Sequence, residues 1–362
     1  MKRWVVLIWV CLLWGCERPA PEYSWQLPYN MPPPPIPADN PLTPAKVALG
    51  RHLFYDPGLS ANGLQSCGSC HQQAYGFSQP AVHSVGSTGE PHRRNALALV
   101  NVAYNTDFTW AHDGLGSLEA QILIPMFGES PRELNISAAP RRVLERLQHG
   151  PYPALFDAAF GDSSADFDRV NQALASFVRT LVSFDSPFDQ YAYGQIDNAL
   201  SESQIRGMNL FYSERLECFH CHGGFNFSQS SVHANMQINV RRFHNTGLYD
   251  VDGKGAYPDD DPGLIEISGQ MKDMGRFRAP SLRNVAVTAP YMHDGSIATL
   301  EEVIDFYDRG GNSHGGHNIY RSPFIRPLNL KEQEKQDLLA FLQGLTDHSF
   351  LTNPAFAAPG EH

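Results

Sequence analysis

A chain of 362 residues is long enough for two domains of ordinary size. With 42% hydrophobic and 18% charged residues it has the balance of a globular protein, which excludes a disordered one. The formal net charge of -11, with Asp and Glu spread along the chain, argues against the basic patch of a nucleic-acid binder; it suits solubility or a basic redox partner.

The N-terminus places Lys2 and Arg3 before an apolar run, Trp4 to Trp14, too short to span a bilayer as a mature helix. Residues 1–15 read as an export signal. Leu13-Trp14-Gly15-Cys16 resembles a lipoprotein signal, in which Cys16 is freed by cleavage and lipidated, although Trp14 is bulky for that pattern. Glu17 stands where Asp would mark retention, so the analogy with Gram-negative lipoproteins points to the outer membrane. The expected location is the periplasm, with a lipid anchor at Cys16. Residues 16–44 are rich in proline, including Met31-Pro-Pro-Pro-Pro-Ile-Pro37, and are expected to form a semi-rigid tether. A strap packed over the domain surface is the alternative.

Thr43-Pro44 form an N-cap and first-turn pair for a helix running to about Tyr55. Val170, Leu174, Phe177 and Leu181 recur at helical spacing within residues 167–184. Ser201-Glu-Ser-Gln204 and Thr299-Leu-Glu-Glu302 have capping-box form. The glycine- and aspartate-rich stretch 245–269 reads as loop with short strands at most, and a last helix covers roughly 329–345.

Six cysteines occur: Cys11 and Cys16 in the leader, then Cys67, Cys70, Cys218 and Cys221. Each of the last four falls in a Cys-x-x-Cys-His motif, Cys67-Gly-Ser-Cys70-His71 or Cys218-Phe-His-Cys221-His222. In a c-type cytochrome the two thiols add to haem vinyl groups and the adjoining histidine reaches the iron. A thiol-redox pair or half of a zinc site is the rival reading. Two copies in an exported chain with no other mature cysteine favour two covalent c-type haems. About 150 residues separate the motifs, with helices before and after each. The expected fold is mainly α, with two cytochrome c-like domains, 45–195 and 196–350, each enclosing one haem, followed by a tail at 351–362.

Phe54-Tyr-Asp56, Leu59-Ser60, Gly63 and Ser66-Cys67 lead into the first motif, and Arg94-Asn95, Pro290-Tyr-Met-His-Asp-Gly295 and Thr299-Leu-Glu-Glu302 follow it. This pattern, over roughly residues 46–345, resembles the bacterial dihaem cytochrome c peroxidases and the MauG-like enzymes. Glu217-Cys-Phe-His-Cys-His-Gly-Gly-Phe-Asn-Phe227 and Phe243-His-Asn-Thr-Gly-Leu-Tyr-Asp250 are most similar to the MbnH group, MauG relatives associated with copper homeostasis.

The resemblance implies the site. Peroxide activation needs an open iron position and a group that moves protons during O–O cleavage. In Met126-Phe-Gly-Glu-Ser-Pro-Arg-Glu133-Leu134 the family pattern assigns that group to Glu133, with Gln121 beside it; Glu129 is the rival carboxylate. His83 and His92 lie in the loop where many relatives carry a reversible distal histidine, but neither fits that motif, so no such block is expected. Family peroxidases carry a methionine ligand fourteen residues beyond the histidine corresponding to His293; here that position is Tyr307. Leu300, Val303, Ile304 and Tyr307 share one helical face, which turns Tyr307 inward. A thioether raises the potential and favours Fe(II), whereas a phenolate favours Fe(III) and Fe(IV). Met274 and Met292 are the alternative ligands.

Trp110, the one tryptophan outside leader and tether, matches the family's inter-haem tryptophan fifteen residues after Asn95, or is a core aromatic. Its surroundings, Trp110-Ala-His-Asp-Gly114, are longer than the peroxidases' Trp-Asp-Gly. Asn95, Thr288 and Pro290 match the family's calcium site. His314 and His317 suit a transition metal, although a surface loop is the readier explanation. The expected activity is a peroxide-driven, bis-Fe(IV)-forming oxidation of a tryptophan on an MbnP-like partner protein. The alternatives are a cytochrome c peroxidase fed by a small cytochrome or cupredoxin, and a non-catalytic electron-transfer cytochrome.

Overall fold

The computed structural model describes residues 21–236, 242–312 and 318–360. Cys11 and Cys16, and the pair His314 and His317, lie outside the described residues. The architecture is mainly helical. The helices are α1 (Pro44–Tyr55), α2 (Cys67–Cys70), α3 (Leu118–Phe127), α4 (Pro140–Arg146), α5 (Tyr152–Phe160), α6 (Phe167–Arg179) and α7 (Pro187–Ala192). They are followed by α8 (Glu202–Phe211), α9 (Phe219–His222), α10 (Ile265–Ser268), α11 (Leu300–Asp308), α12 (Glu332–Gln343) and α13 (His348–Leu351). Among the described residues the sheet is a single antiparallel pair, β1 (Phe243–His244) against β2 (Phe277–Arg278). It brackets the 245–269 stretch, which is loop apart from α10.

The expected caps form. The Thr43 hydroxyl accepts from Lys46 N at 3.2 Å, and Ser201 with Gln204 and Thr299 with Glu302 close reciprocal capping boxes. Helix α6 stops at Arg179, short of the sequence pattern, and the Thr180 hydroxyl donates to the Phe177 carbonyl at 2.7 Å as the chain leaves the helix.

Two apolar cores form around two crossed helix pairs. In one, α1 packs on α6, burying Leu49, Leu53 and Phe54 against Val170, Leu174 and Phe177. In the other, α8 packs on α12, burying Phe211 against Leu338 and Phe341. The same device closes both crossings. A Cβ on Gly50 would stand 1.9 Å from the Ala173 carbonyl oxygen, and one on Gly207 the same distance from that of Asp337. Gly50→Ala is therefore expected to cost about 2–3 kcal/mol, the upper part of the usual overpacking range, and to lower the midpoint of thermal unfolding. An unchanged midpoint would mean the helices separate freely at that crossing.

The proline-rich segment follows the strap reading from residue 23 onward. Tyr104 Oη donates to the Pro32 carbonyl at 3.0 Å, Ala234 N to that of Pro33 at 3.0 Å, and Asn40 Nδ2 to Glu119 Oε1 at 2.8 Å. Proline runs cannot pair as strands, but their free carbonyls accept hydrogen bonds from the surface they cross. The chain on either side of residue 351, where the tail is expected to begin, returns to the first core. Phe350 and Phe356 are buried there, and Tyr55 Oη and Arg51 Nε donate to the Phe356 and Ala357 carbonyls, both at 2.6 Å. No helix among the described residues is long and apolar enough to cross a membrane.

Candidate active site

Each Cys-x-x-Cys-His motif forms one wall of a cavity. The first, about 290 Å³, is lined by Cys67, Cys70 and His71 together with Gln121, Glu133, His92 and Trp110. His71 Nδ1 lies 2.8 Å from the Phe77 carbonyl oxygen, which can only accept. Nδ1 therefore carries the proton, and Nε2 keeps a lone pair for a ligand bond. Glu133 reaches the cavity because its loop is sewn to its neighbours: Leu134 N donates to the Pro125 carbonyl at 2.9 Å, Ser87 N to that of Glu133 at 2.8 Å, and Ala61 N to that of Leu134 at 2.7 Å. Burial pushes the Glu133 carboxyl up to about 7. Gln121 Oε1, from α3, is buried and without a hydrogen-bond partner. His92 Nδ1 stands 4.0 Å from Glu133 Oε1, and burial lowers its imidazole below the ordinary value.

The second cavity, about 220 Å³, is lined by Cys218, Cys221, His222, His244, Arg278, Met292, His293 and Tyr307. His222 Nδ1 lies 3.1 Å from the Pro280 carbonyl oxygen and 3.3 Å from that of Phe227, so its Nε2 is likewise left as the acceptor. Tyr307 projects from α11 with Leu300, Val303 and Ile304 on the same wall, and burial raises its phenol above the ordinary value. Arg278 is buried, donates through Nε to the Thr109 carbonyl at 3.0 Å, and leaves Nη1 without a partner. Burial pushes its guanidinium down to about 10. Trp110 lines both cavities. Its indole Nε1 donates to the Asn95 carbonyl at 2.8 Å and its own carbonyl accepts from Arg278 N at 2.7 Å, so the longer Trp110–Gly114 segment is still pinned between them.

The residues present fit two covalent haems better than either rival reading of the cysteines. Burial pushes the Cys67 and Cys218 thiols up to about 12 and that of Cys221 to about 11, which suppresses the thiolate a redox pair needs. Among the described residues, the one group of His, Cys, Asp and Glu close enough to share a metal is Glu214, Glu217 and His220, which contains no cysteine. Arg278 Nη1, orphaned beside a largely apolar cavity, is the kind of donor that a carboxylate on a bound group satisfies.

Residues 44–197 match the di-haem cytochrome c peroxidase family. The chain is 37% identical over 347 residues to the cytochrome-c peroxidase IdrP1 of Pseudomonas sp. (strain SCT), covering 92% of this chain and 89% of that one. The chain belongs to the dihaem cytochrome c peroxidase/MauG family. It is a haem-dependent oxidoreductase, and the family's cofactors are two c-type haems. It is also 38% identical over 314 residues to the methylamine utilization protein MauG of Methylorubrum extorquens, covering 86% of this chain and 81% of that one. A crystal structure described as a MauG-like protein associated with microbial copper homeostasis matches with a TM-score of 0.89 at 45% identity, over 93% of this chain and 99% of that one. The diheme peroxidase BthA of Burkholderia thailandensis, at 21% identity and a TM-score of 0.66 over 88% of this chain and 91% of that one, shares the fold.

Of the residues singled out from sequence, Cys67, Cys70, His71, Gln121 and Glu133 meet at the first cavity, and Cys218, Cys221, His222 and Tyr307 at the second. Glu129 is exposed and outside the cavity lining, which separates it from Glu133. Met292 lines the second cavity and Met274 does not. Asn95 Nδ2 donates to the Ala81 and Val82 carbonyls at 2.9 and 3.2 Å, and its backbone N to that of His293 at 2.8 Å, so it touches the segment after Pro290. Thr288 Oγ1 donates to the Val285 carbonyl at 3.1 Å. No motif in the chain marks His244 or Arg278 for the site, and His92, expected in the loop of the reversible distal histidine without that role, lines the first cavity. Their only signal is tertiary: His92 enters the cavity because its loop packs on the Glu133 segment, where a Cβ on Gly86 would stand 2.1 Å from the Arg132 carbonyl oxygen.

Proposed function

We propose that this protein reacts with hydrogen peroxide at the first cavity, shares the two oxidising equivalents with the second, and spends them on a tryptophan of a partner protein in copper homeostasis. The observation that carries this reading is Tyr307 on the wall of the second cavity, at the position where family peroxidases have methionine, with Trp110 shared by both cavities. When bound, the two haems supply iron that reacts with peroxide and holds oxidising equivalents, with Cys67, Cys70 and His71 holding one and Cys218, Cys221 and His222 the other.

The chain's own residues do the rest. Glu133 accepts the proton of the incoming peroxide on a carboxylate oxygen and returns it to the departing oxygen, a task suited to a group poised near 7. Gln121 orients the peroxide through its unpartnered Oε1. Trp110 carries electrons between the cavities. Held above its ordinary value by burial, the Tyr307 phenol keeps its proton in the absence of a bound cation, and as phenolate it would favour a high oxidation state of a metal held beside it. Asn95, Thr288 and Pro290 hold a calcium ion that ties the first half to the loop after residue 288. Two haem domains, 45–195 and 196–350, and periplasmic anchoring to the outer membrane through a lipidated Cys16 complete the reading. A MauG-like relative described as associated with microbial copper homeostasis, at 45% identity, supports the copper setting, and the choice of an MbnP-like partner rests on the MbnH-like segments 217–227 and 243–250.

The test adds stoichiometric peroxide to the fully ferric protein and follows absorption and Mössbauer spectra. Oxidation of both irons without prior reduction is the expected result. A ferric protein that reacts only once half-reduced would make it a cytochrome c peroxidase fed by a small cytochrome or cupredoxin. Met292, which lines the same cavity as Tyr307, is the observation that favours this second reading.

A further inference from the structure

The wall of the second cavity continues outward as a file of rings. Phe277 and His293 both line the cavity with Trp110, and they stack on each other with centroids 3.7 Å apart and an interplanar angle of 17°. Behind them lies Tyr257, 2% exposed, with its ring centroid 6.0 Å from Phe277 and 6.3 Å from His293. Tyr249, partly open to solvent, lies 5.5 Å from Tyr257 and 6.3 Å from His293. Four rings thus lead from the cavity to the surface with no aliphatic gap.

The two tyrosines differ in one chemical respect. Tyr257 Oη donates to the Asn245 amide oxygen at 3.1 Å and accepts from Leu248 N at 3.0 Å. An amide oxygen cannot take up a phenolic proton at neutral pH, so a hole on Tyr257 does not settle there. Tyr249 Oη donates to Asp294 Oδ2 at 2.5 Å, and Ser296 N holds the other carboxylate oxygen at 3.0 Å. A carboxylate can take that proton. Val251 and Ile319, 62% and 74% exposed, add apolar surface nearby, the latter next to Asn318, whose amide donates to the Tyr249 carbonyl at 2.9 Å.

We infer that Tyr249, with Asp294 as its proton acceptor, is the surface station at which an oxidising equivalent leaves the protein and meets the side chain of a protein substrate. The inference rests on the proposed peroxide-driven oxidation of a partner. In each one-electron step Tyr249 gives an electron through its neighbours His293 and Tyr257 and the stacked Phe277 to the peroxide-oxidised haem centre, and its proton moves to Asp294 Oδ2. This leaves a neutral tyrosyl radical and a carboxylic acid. The partner's side chain then supplies an electron, and the proton returns from Asp294. Two such steps consume the two equivalents of one peroxide.

The experiment mixes ferric, haem-loaded protein with one equivalent of peroxide, without partner, and follows freeze-quenched EPR spectra with ring-deuterated tyrosine for assignment. A tyrosyl radical is expected in the natural protein, to be lost in Tyr249→Phe and to form roughly 10²-fold more slowly in Asp294→Asn, where the proton acceptor is gone. Matching ferric absorption spectra check that both variants retain their haem sites. Peroxide consumption without a tyrosyl radical, or a radical that survives Tyr249→Phe, overturns the exit route alone. A ferric protein that does not consume peroxide overturns the parent reading and the exit route with it.

Discussion

Glu133→Gln is expected to slow the reaction of the ferric protein with peroxide by roughly 10²–10⁴-fold, the usual contribution of a positioned acid-base group. The amide keeps the size and the hydrogen-bonding reach of the carboxyl but cannot accept a proton. Glu133 lines the cavity that carries Cys67, Cys70 and His71, and burial pushes its carboxyl up to about 7. Only the carboxylate can take the first proton from peroxide. The rate in the natural protein should therefore rise with pH through about 7 and level off above it, and Glu133→Gln should lose that rise. Stopped-flow absorption from pH 5 to 9 measures both effects. Glu129→Gln, at an exposed position off the cavity, is expected to change neither. A pH profile that persists in Glu133→Gln would move the proton-transfer role to His92, whose Nδ1 stands 4.0 Å from the Glu133 carboxylate.

Tyr307→Met is expected to abolish oxidation of the second iron by stoichiometric peroxide and to raise the reduction potential of that haem. The direction follows from the donor. A phenolate is a hard anion that stabilises the higher charge on iron, whereas a thioether is neutral, soft and selective for the lower one. The site admits the exchange because Tyr307 shares its wall with Leu300, Val303 and Ile304, apolar neighbours that accept a methionine of lower polarity. Spectroelectrochemical titration follows the potential, and Mössbauer spectra follow the second iron. If the variant still oxidises both irons without reduction, Tyr307 does not set the state of that site.

Much of this molecule was legible in the chain because the signals are local. A Cys-x-x-Cys-His motif spans five residues and needs only one turn of helix to present both thiols and the histidine, so Cys67–His71 and Cys218–His222 declared the cofactor at once. Thr43, Ser201 and Thr299 likewise marked helix starts, since a cap is a contact between residues three apart. The family resemblance then pointed to Glu133 through its own segment, to Trp110 by its offset from Asn95 and to Tyr307 by its offset from His293.

Other features had no local signal. The proline-rich segment reads from composition as a tether with a strap as the alternative, and only its carbonyl contacts with Tyr104 and Ala234 lay it along the surface. Phe350, at the end of the expected second domain, and Phe356, in the expected tail, follow the last long helix and yet enter the first core with Leu49 and Phe54. His92 and the Tyr249–Asp294 pair belong to loops and Arg278 to the two-residue strand β2, and their places are set by contacts distant in the chain, such as Arg278 N to the Trp110 carbonyl and the Asn318 amide to that of Tyr249. Composition and spacing thus determined which groups this protein carries and which short helices present them. The tertiary structure alone decided which groups face a common cavity, because a cavity wall is assembled from segments such as α2 and Glu133, or α9 and Tyr307, that lie far apart in the chain and meet only when the core beside them has packed.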